Sequence, residues 1–254
     1  MTKEVTAEII SIGDELLIGQ TMNTNAGWMG EQLATIGIRV TLVRTIGDDG
    51  ATILATLASV SSDVVLITGG LGPTKDDITK NVLCQFFDTG LEHRADVHER
   101  IQALFDRLGR RPMDVDLAQA DLPVACTTVP NERGTASGMW FEKDGRVFVS
   151  MPGVPYEMKA MMGTFILPKL VQRFNTPVIV HRTVLTTGLG ESRLAAVIAD
   201  WENDLASANI KLAYLPSPGV VKLRLSLYAG ADEAQARSVV NAKVGALQRL
   251  IPDL

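Results

Sequence analysis

Asp63-Val-Val-Leu-Ile-Thr68, followed at once by Gly69-Gly-Leu-Gly-Pro-Thr-Lys-Asp-Asp77, decides the fold of this chain. An apolar run this short has no polar face to turn to water. It reads as a strand covered on both faces, the habit of parallel sheets. The glycines and Pro73 interrupt it, and Ile78, Val82 and Phe86 then fall on one helical face. Ligands in open α/β sheets bind beyond the carboxyl ends of strands, so this junction is also the first place to look for chemistry.

The pattern repeats upstream. Val5 to Ile12 reads as a strand ending at Gly13; Ala26, Met29, Leu33 and Ile36 form a helical stripe closed by Gly37. Ile38 to Ile46 is a further strand, and Asp48 reads as the N-cap of a helix carrying Ile53, Leu57 and Val60. Strand, helix, strand, helix, strand argues for a mainly parallel sheet with right-handed crossovers. Downstream, Val97, Ile101, Leu104 and Leu108 mark a helix ended by Gly109, and Asp144-Gly145 joins two strands as a hairpin. A helical stretch from about Val154 to Phe174 leads to Asn175-Thr-Pro177, read as a linker. Beyond it, a β-α-β-β-α unit is expected: strands at 178–185, 210–215 and 220–228, with helical stripes Leu194-Val197-Ile198-Trp201-Leu205 and Val240-Val244-Leu247-Ile251. The expected division is thus an α/β domain at 1–174 and a small α+β domain at 178–254.

Among 254 residues, 46% are apolar and 21% charged, enough for a sizeable core and against a disordered chain. Residues 1–175 carry 16 basic and 22 acidic side chains, the remainder 8 and 7, so the net charge of −5 belongs to the first domain. No basic excess drives binding to a phosphate backbone. The longest charge-free stretch, Leu16 to Gly30, holds Asn, Gln and glycines and is no membrane span. Nothing at the N-terminus resembles a signal peptide, and a soluble cytoplasmic protein is expected. Cys84 and Cys126 are too few for a disulfide framework or zinc site, and His93, His98 and His181 lack metal spacing.

Three segments at expected strand ends carry chemistry. Gly13-Asp-Glu-Leu-Leu-Ile-Gly19 with Thr21-Met-Asn-Thr-Asn25 puts Asp14 and Glu15 just past the first strand; a plain turn before a capped helix accounts for it equally well. In the decisive loop, Gly69, Gly70 and Gly72 let backbone N–H groups approach an anion, and the following helix N-terminus adds partial positive charge. Asp76 and Asp77 would repel a phosphate there unless a cation lies between, which points to a divalent metal with oxygen ligands; one of the two could instead simply cap the helix. Lys75 either contacts phosphate or solvates the loop. The loop lacks both the Gly-Lys-Ser/Thr of a P-loop and the dinucleotide glycine spacing. Met151-Pro-Gly153 follows a strand, so Gly153 can bring amides to a phosphate, with Glu157 one turn into the next helix; Pro152 and Pro155 otherwise start that helix.

At these residues the chain resembles the CinA (competence/damage-inducible protein A) version of the MoaB/Mog molybdopterin-binding fold, the family's Asp falling on Asp77. Further similar segments follow in order: Pro130-Asn-Glu-Arg-Gly-Thr-Ala-Ser-Gly138, Met151-Pro-Gly-Val-Pro-Tyr-Glu-Met158, Thr187-Gly-Leu-Gly-Glu-Ser192 and Tyr214-Leu-Pro-Ser-Pro-Gly219 with Lys222-Leu-Arg224. The resemblance implies a MoaB/Mog-like three-layer domain followed by a small KH-like domain. It implies metal-dependent hydrolysis of ADP-ribose, or a related nucleoside diphosphate, to AMP and ribose 5-phosphate, with Mg²⁺, Mn²⁺ or Co²⁺. A molybdopterin-binding protein of cofactor biosynthesis and a non-catalytic nucleotide-binding module are the alternatives. Many members continue into a nicotinamide-mononucleotide deamidase domain; this sequence stops at Leu254, so deamidation is not expected of it. Ser137 stands where the family has Pro, which is expected to loosen its loop while keeping Asn131, Gly134, Thr135 and Gly138 for ligand contacts.

The candidate catalytic set is Asp14, Asp48, Asp76 and Asp77, with Asp14, Asp76 and Asp77 as metal ligands. The substrate contacts are Asn25, Thr68, Gly69, Gly70, Gly72, Thr74, Lys75, Asn131, Gly134, Thr135, Gly138, Gly153 and Glu157. The second domain lacks a basic Gly-x-x-Gly loop and its charge is balanced, which disfavours nucleic acid. A unit so small gains by packing on another surface, and a homodimer is expected in which the residues after Pro177 meet the partner chain.

Overall fold

In a computed structural model, which describes residues 4–74, 77–176, 178–229 and 232–252, the decisive apolar run is the strand β3 (Val64–Thr68) and all five of its residues are buried. The chain separates into a larger unit, Met1–Leu33 with Ile38–Asn175, and a smaller one, Ala34–Gly37 with Thr176–Leu254. The larger unit begins β1 (Thr6–Ile12), α1 (Asp14–Leu17), α2 (Thr24–Thr35), β2 (Arg39–Ile46), α3 (Gly50–Ala58) and β3. It continues α4 (Thr79–Phe87), β4 (Leu91–His93), α5 (Ala95–Arg107), α6 (Asp114–Leu117), β5 (Asp121–Pro123), β6 (Thr127–Val129), β7 (Gly138–Lys143) and β8 (Arg146–Met151). Helices α7 (Pro155–Met161) and α8 (Leu167–Phe174) close it, joined by a π-helical turn, Met162–Ile166, just before Pro168.

The main sheet runs β2-β1-β3-β8-β7-β6, with β2, β1, β3 and β8 parallel and β7 and β6 antiparallel. Ile10, Ile12, Val65 and Ile67 pack with Ile53 and Leu57 of α3, Val82 and Leu83 of α4, and Val97 and Ile101 of α5. The alternate side chains Ile9, Leu66 and Val149 are also fully buried, so both faces of the sheet are covered. The β7–β8 hairpin turns at Asp144 and Gly145, both with positive φ, as its two-residue loop requires. Near the amino ends of the parallel strands Glu8, 2% exposed, accepts from the N–H groups of Ser61 (3.0 Å) and Ser62 (3.2 Å) and from Arg44 (3.3 Å), tying β1, β2 and the β3 approach together.

Local expectations fail at several places. Leu108 is not on the inner stripe but 59% exposed; Phe105 packs against the core in its place. Asp48 does not cap α3: the cap is Asp49, whose carboxylate accepts from Thr52 N at 2.8 Å. The short strands β4 and β5, which pair with each other, and β6 were not foreseen from the sequence.

The smaller unit contains β9 (Val178–Thr187), α9 (Glu191–Ser207), β10 (Ile210–Ser217), β11 (Val220–Ala229) and α10 (Glu233–Leu250). Its antiparallel sheet is ordered β10-β11-β9, and Leu194, Ile198, Trp201 and Leu205 of α9 meet Leu223, Leu225, Val240 and Leu247 in its core. Val197, expected on that stripe, is 47% exposed. Asp232 caps α10 by accepting from Gln235 N at 2.9 Å. No helix among the described residues is long and apolar enough to cross a membrane.

Candidate functional site

The chain leaves β1 toward β2 on one side and returns to β3 on the other. The carboxyl ends of β1 and β3 therefore form the sheet's switch point, where a crevice must open. A cleft of about 900 Å³ lies there. Asp14, Asn25, Asp48, Thr68, Gly69, Gly70, Gly72, Asp77, Thr135, Gly153 and Glu157 all line it. Residues more than a hundred positions apart in sequence thus share one wall.

The carboxylates converge from three loops. Asp14 and Asp48 hold each other's backbones: Asp14 N donates to Asp48 Oδ2 at 3.0 Å, and Asp48 N to Asp14 Oδ1 at 3.4 Å. Burial pushes the Asp48 carboxyl above its ordinary value, and the charges of Asp14, Glu15 and Asp77 push it further against the opposing Asp14 N–H. Asp77 does not cap α4, whose N-terminus has no side-chain cap. Its Oδ2 instead takes Thr74 N at 3.0 Å and Thr74 Oγ1 at 2.5 Å, closing the turn between them. Thr74 itself is not part of the cleft wall. Lys75 and Asp76 lie outside the described residues.

The glycine loop is built by close approach. At Gly69 (φ +104°) an added Cβ would lie 2.0 Å from the Ile12 carbonyl oxygen, and at Gly70 (φ +64°) 2.1 Å from Thr79 Oγ1. Only glycine fits either position. The Gly69 N–H, expected to face an anion, is bonded to Met151 O at 3.1 Å instead. Among the described residues no hydrogen bond takes the N–H of Gly70, Leu71 or Gly72, so these three remain as donors.

The segment from Asn131 to Gly138 is a second wall whose strength the sequence concealed. Arg100 of α5 donates to four of its oxygens: Asn131 O, Gly134 O (2.8 Å), Thr135 O (3.0 Å) and Ser137 Oγ (3.1 Å). Ser137 therefore fastens the loop that its replacement of Pro was expected to loosen. Asn131, 1% exposed, spends its amide on Ala136 O (2.8 Å) and Glu157 Oε2 (2.6 Å). Gly134 lies so near Glu157 that a Cβ would fall 2.3 Å from its Oε2, and Gly138 is packed against Val129 and the Ser150 carbonyl. Asn131, Gly134 and Gly138, expected as ligand contacts, are thus outside the cleft wall and serve its construction. Arg100 was missed, although it stands three residues after Val97 and four before Leu104, on the flank of an apolar stripe.

None of the described lining residues is Lys, Arg or His, while five are acidic. Hard oxygen donors with unrelieved negative charge suit a divalent cation. Among the described residues, however, no group of three His, Cys, Asp or Glu is arranged to hold a metal ion. The donors present match the Mg²⁺ habit of one or two carboxylates completed by ligand phosphates. Neither cysteine is an activated thiol: burial drives Cys126 up to about 11 and raises Cys84 as well.

Comparison with known proteins agrees with this architecture. Residues 8–172 match the family described as "Probable molybdopterin binding domain", and residues 181–253 match "Damage-inducible protein CinA KH domain". A "CinA-like protein" of Flavobacterium psychrophilum is 46% identical over 250 residues, covering 97% of this chain and 59% of that protein. Another from Cytophaga hutchinsonii is 45% identical over 228 residues, covering 89% and 54%. The chain thus spans less than two thirds of these curated relatives. The crystal structure of CinA from Thermoplasma acidophilum superposes with a TM-score of 0.59 at 30% identity, over 65% of this chain and 99% of that one. The fold is accordingly the MoaB/Mog-like α/β fold followed by a small KH-type unit, and the chain belongs to the CinA-like family.

Proposed function

We propose that the cleft binds a nucleotide-type diphosphate together with a divalent cation and hydrolyses it, with ADP-ribose giving AMP and ribose 5-phosphate. One observation carries this: a loop with three N–H groups unpartnered among the described residues lines the same cleft as five acidic side chains and no described basic one. Such a cleft repels a bare diphosphate and accepts one that arrives with a cation.

Asp14 and Asp77 would hold the cation, which supplies charge neutralisation for the two phosphates. The N–H groups of Gly70, Leu71 and Gly72 take the phosphoryl oxygens as charge builds on them. Water forms the new bond to one phosphorus as the bridging P–O bond breaks, and its proton passes to Asp48. Burial and the neighbouring carboxylates raise the Asp48 pKa, which strengthens it as a proton acceptor.

The match of residues 8–172 favours a second reading, a molybdopterin-binding protein that uses the same loop without hydrolysis. Incubating the full chain with ADP-ribose and Mg²⁺, Mn²⁺ or Co²⁺ and quantifying AMP by chromatography separates the two. Stoichiometric molybdopterin binding without AMP release refutes the hydrolase. The expected homodimer belongs to the same proposal, and a monomeric mass by light scattering at micromolar concentration refutes it.

A further inference from the structure

Asn25 and Glu157 are cleft residues to which the hydrolysis above gives no task, yet they are 9% and 8% exposed, polar, and placed at some cost in desolvation. The Asn25 amide is oriented by its Nδ2, which donates to Gly153 O at 2.7 Å. Its Oδ1 is thereby fixed as an acceptor, and it is buried with no partner among the described residues. Glu157 accepts from Asn131 Nδ2 at 2.6 Å on one oxygen, which leaves most of a carboxylate's lone pairs unused. The Asn25 side chain and the Glu157 backbone N–H both bind the Gly153-Val154 turn, and with both residues lining the cleft this part of it holds acceptors in excess.

Their place in the cleft beside the glycine loop selects the ligand group. A Cβ on Gly153 would stand 3.6 Å from Gly69 Cα, so the turn touches the glycine loop directly. Asn25 and Glu157 line the same cleft as the loop, so their acceptors meet the group that a phosphate held on the loop carries. In a nucleotide or sugar phosphate that group is the sugar, and its donors are hydroxyls; the amines of a base lie farther away. We propose that Asn25 Oδ1 and the Glu157 carboxylate accept hydrogen bonds from the vicinal hydroxyls of the phosphate-bearing sugar, so that the cleft selects ribosyl over deoxyribosyl ligands. This rests on the nucleotide reading above.

The test titrates the full chain, with Mn²⁺ present, with ADP, 2′-deoxy-ADP, 3′-deoxy-ADP and inorganic pyrophosphate, following heat. Wild type binds ADP roughly tenfold or more tighter than the analogue that lacks the hydroxyl on Glu157, the loss of a charge-assisted hydrogen bond. It binds ADP roughly threefold or more tighter than the one that lacks the hydroxyl on Asn25, the loss of a neutral one. Glu157→Gln and, independently, Asn25→Ala each bring the matching ratio toward one while retaining affinity for pyrophosphate, which has no sugar. Equal wild-type affinity for ADP and both deoxy analogues overturns the assignment. So does a loss of pyrophosphate binding in both variants as large as the loss of ADP binding. If wild type binds neither ADP nor pyrophosphate with Mg²⁺, Mn²⁺ or Co²⁺, the nucleotide reading itself fails and takes this inference with it.

Discussion

Replacing Arg100 by Met removes the charged donor from four oxygens of the 131–137 loop while keeping most of the side chain's apolar stem. Gly134 and Thr135 are half-buried and can turn their carbonyls to water. Asn131 and Ser137, 1% and 3% exposed, cannot. Two stranded acceptors at about 1–3 kcal/mol each give roughly 2–6 kcal/mol. Relief of burial at Arg100, which already lowers its pKa, offsets part of that, leaving about 3 kcal/mol. For a unit of this size, roughly 2–4 °C per kcal/mol predicts a melting temperature lower by about 6–12 °C. Differential scanning calorimetry measures it, and amide exchange at 131–137 should accelerate beyond the rest of the unit. Arg100→Lys should fall between, since an ammonium cannot span four acceptors with a planar fork. Ser137→Ala should cost about 1 kcal/mol less in the Arg100→Met background than in wild type, the mark of a direct interaction. A drop under about 2 °C with unchanged exchange at 131–137 would refute the clamp.

Three further outcomes are expected. Asp48→Asn removes a carboxyl whose folded pKa lies above 3.8, so the native state carries its protonation preference as a penalty that grows as pH rises through that window. Without metal the variant should therefore melt higher than wild type at pH 7 and equally below about pH 3.8, while gaining less from added Mn²⁺; superimposable pH profiles would count against it. Asp77→Ala should lose metal-supported turnover yet cost only about 1 kcal/mol, since its carboxylate closes one exposed turn with Thr74; wild-type AMP release from a folded variant removes it from the mechanism. Gly69→Ala drives a Cβ into the Ile12 carbonyl at positive φ and should cost about 3 kcal/mol or more, and a wild-type urea midpoint would contradict the geometry.

What the sequence showed and what it hid divides along contact range. Val64–Thr68 was legible as a doubly covered strand because an uninterrupted apolar run states its own environment, and the Asp144-Gly145 turn because its backbone requirement is local. The KH-type unit was legible for the same reason: its stripes Leu194-Ile198-Trp201-Leu205 and Val240-Val244-Leu247 are periodic over whole helices. Strands β4, β5 and β6 are three residues each, shorter than any period can declare itself.

The site residues went wrong where the deciding partner is distant. Asp48 and Asp49 are adjacent, and either carboxylate could cap α3 by local rules. What separates them is the loop after β1, thirty-four residues upstream, whose Asp14 N–H takes Asp48. Asp49 is then left for Thr52. Asn131 shows the same displacement of role: a loop Asn near a phosphate loop reads as a ligand contact, but Glu157, twenty-six residues on, claims its amide first. That pairing also explains why Glu157 keeps lone pairs for something else. Asn131 and Arg100 build a rigid wall around it, and a buried carboxylate so supported and only partly used is what a selective binding surface needs.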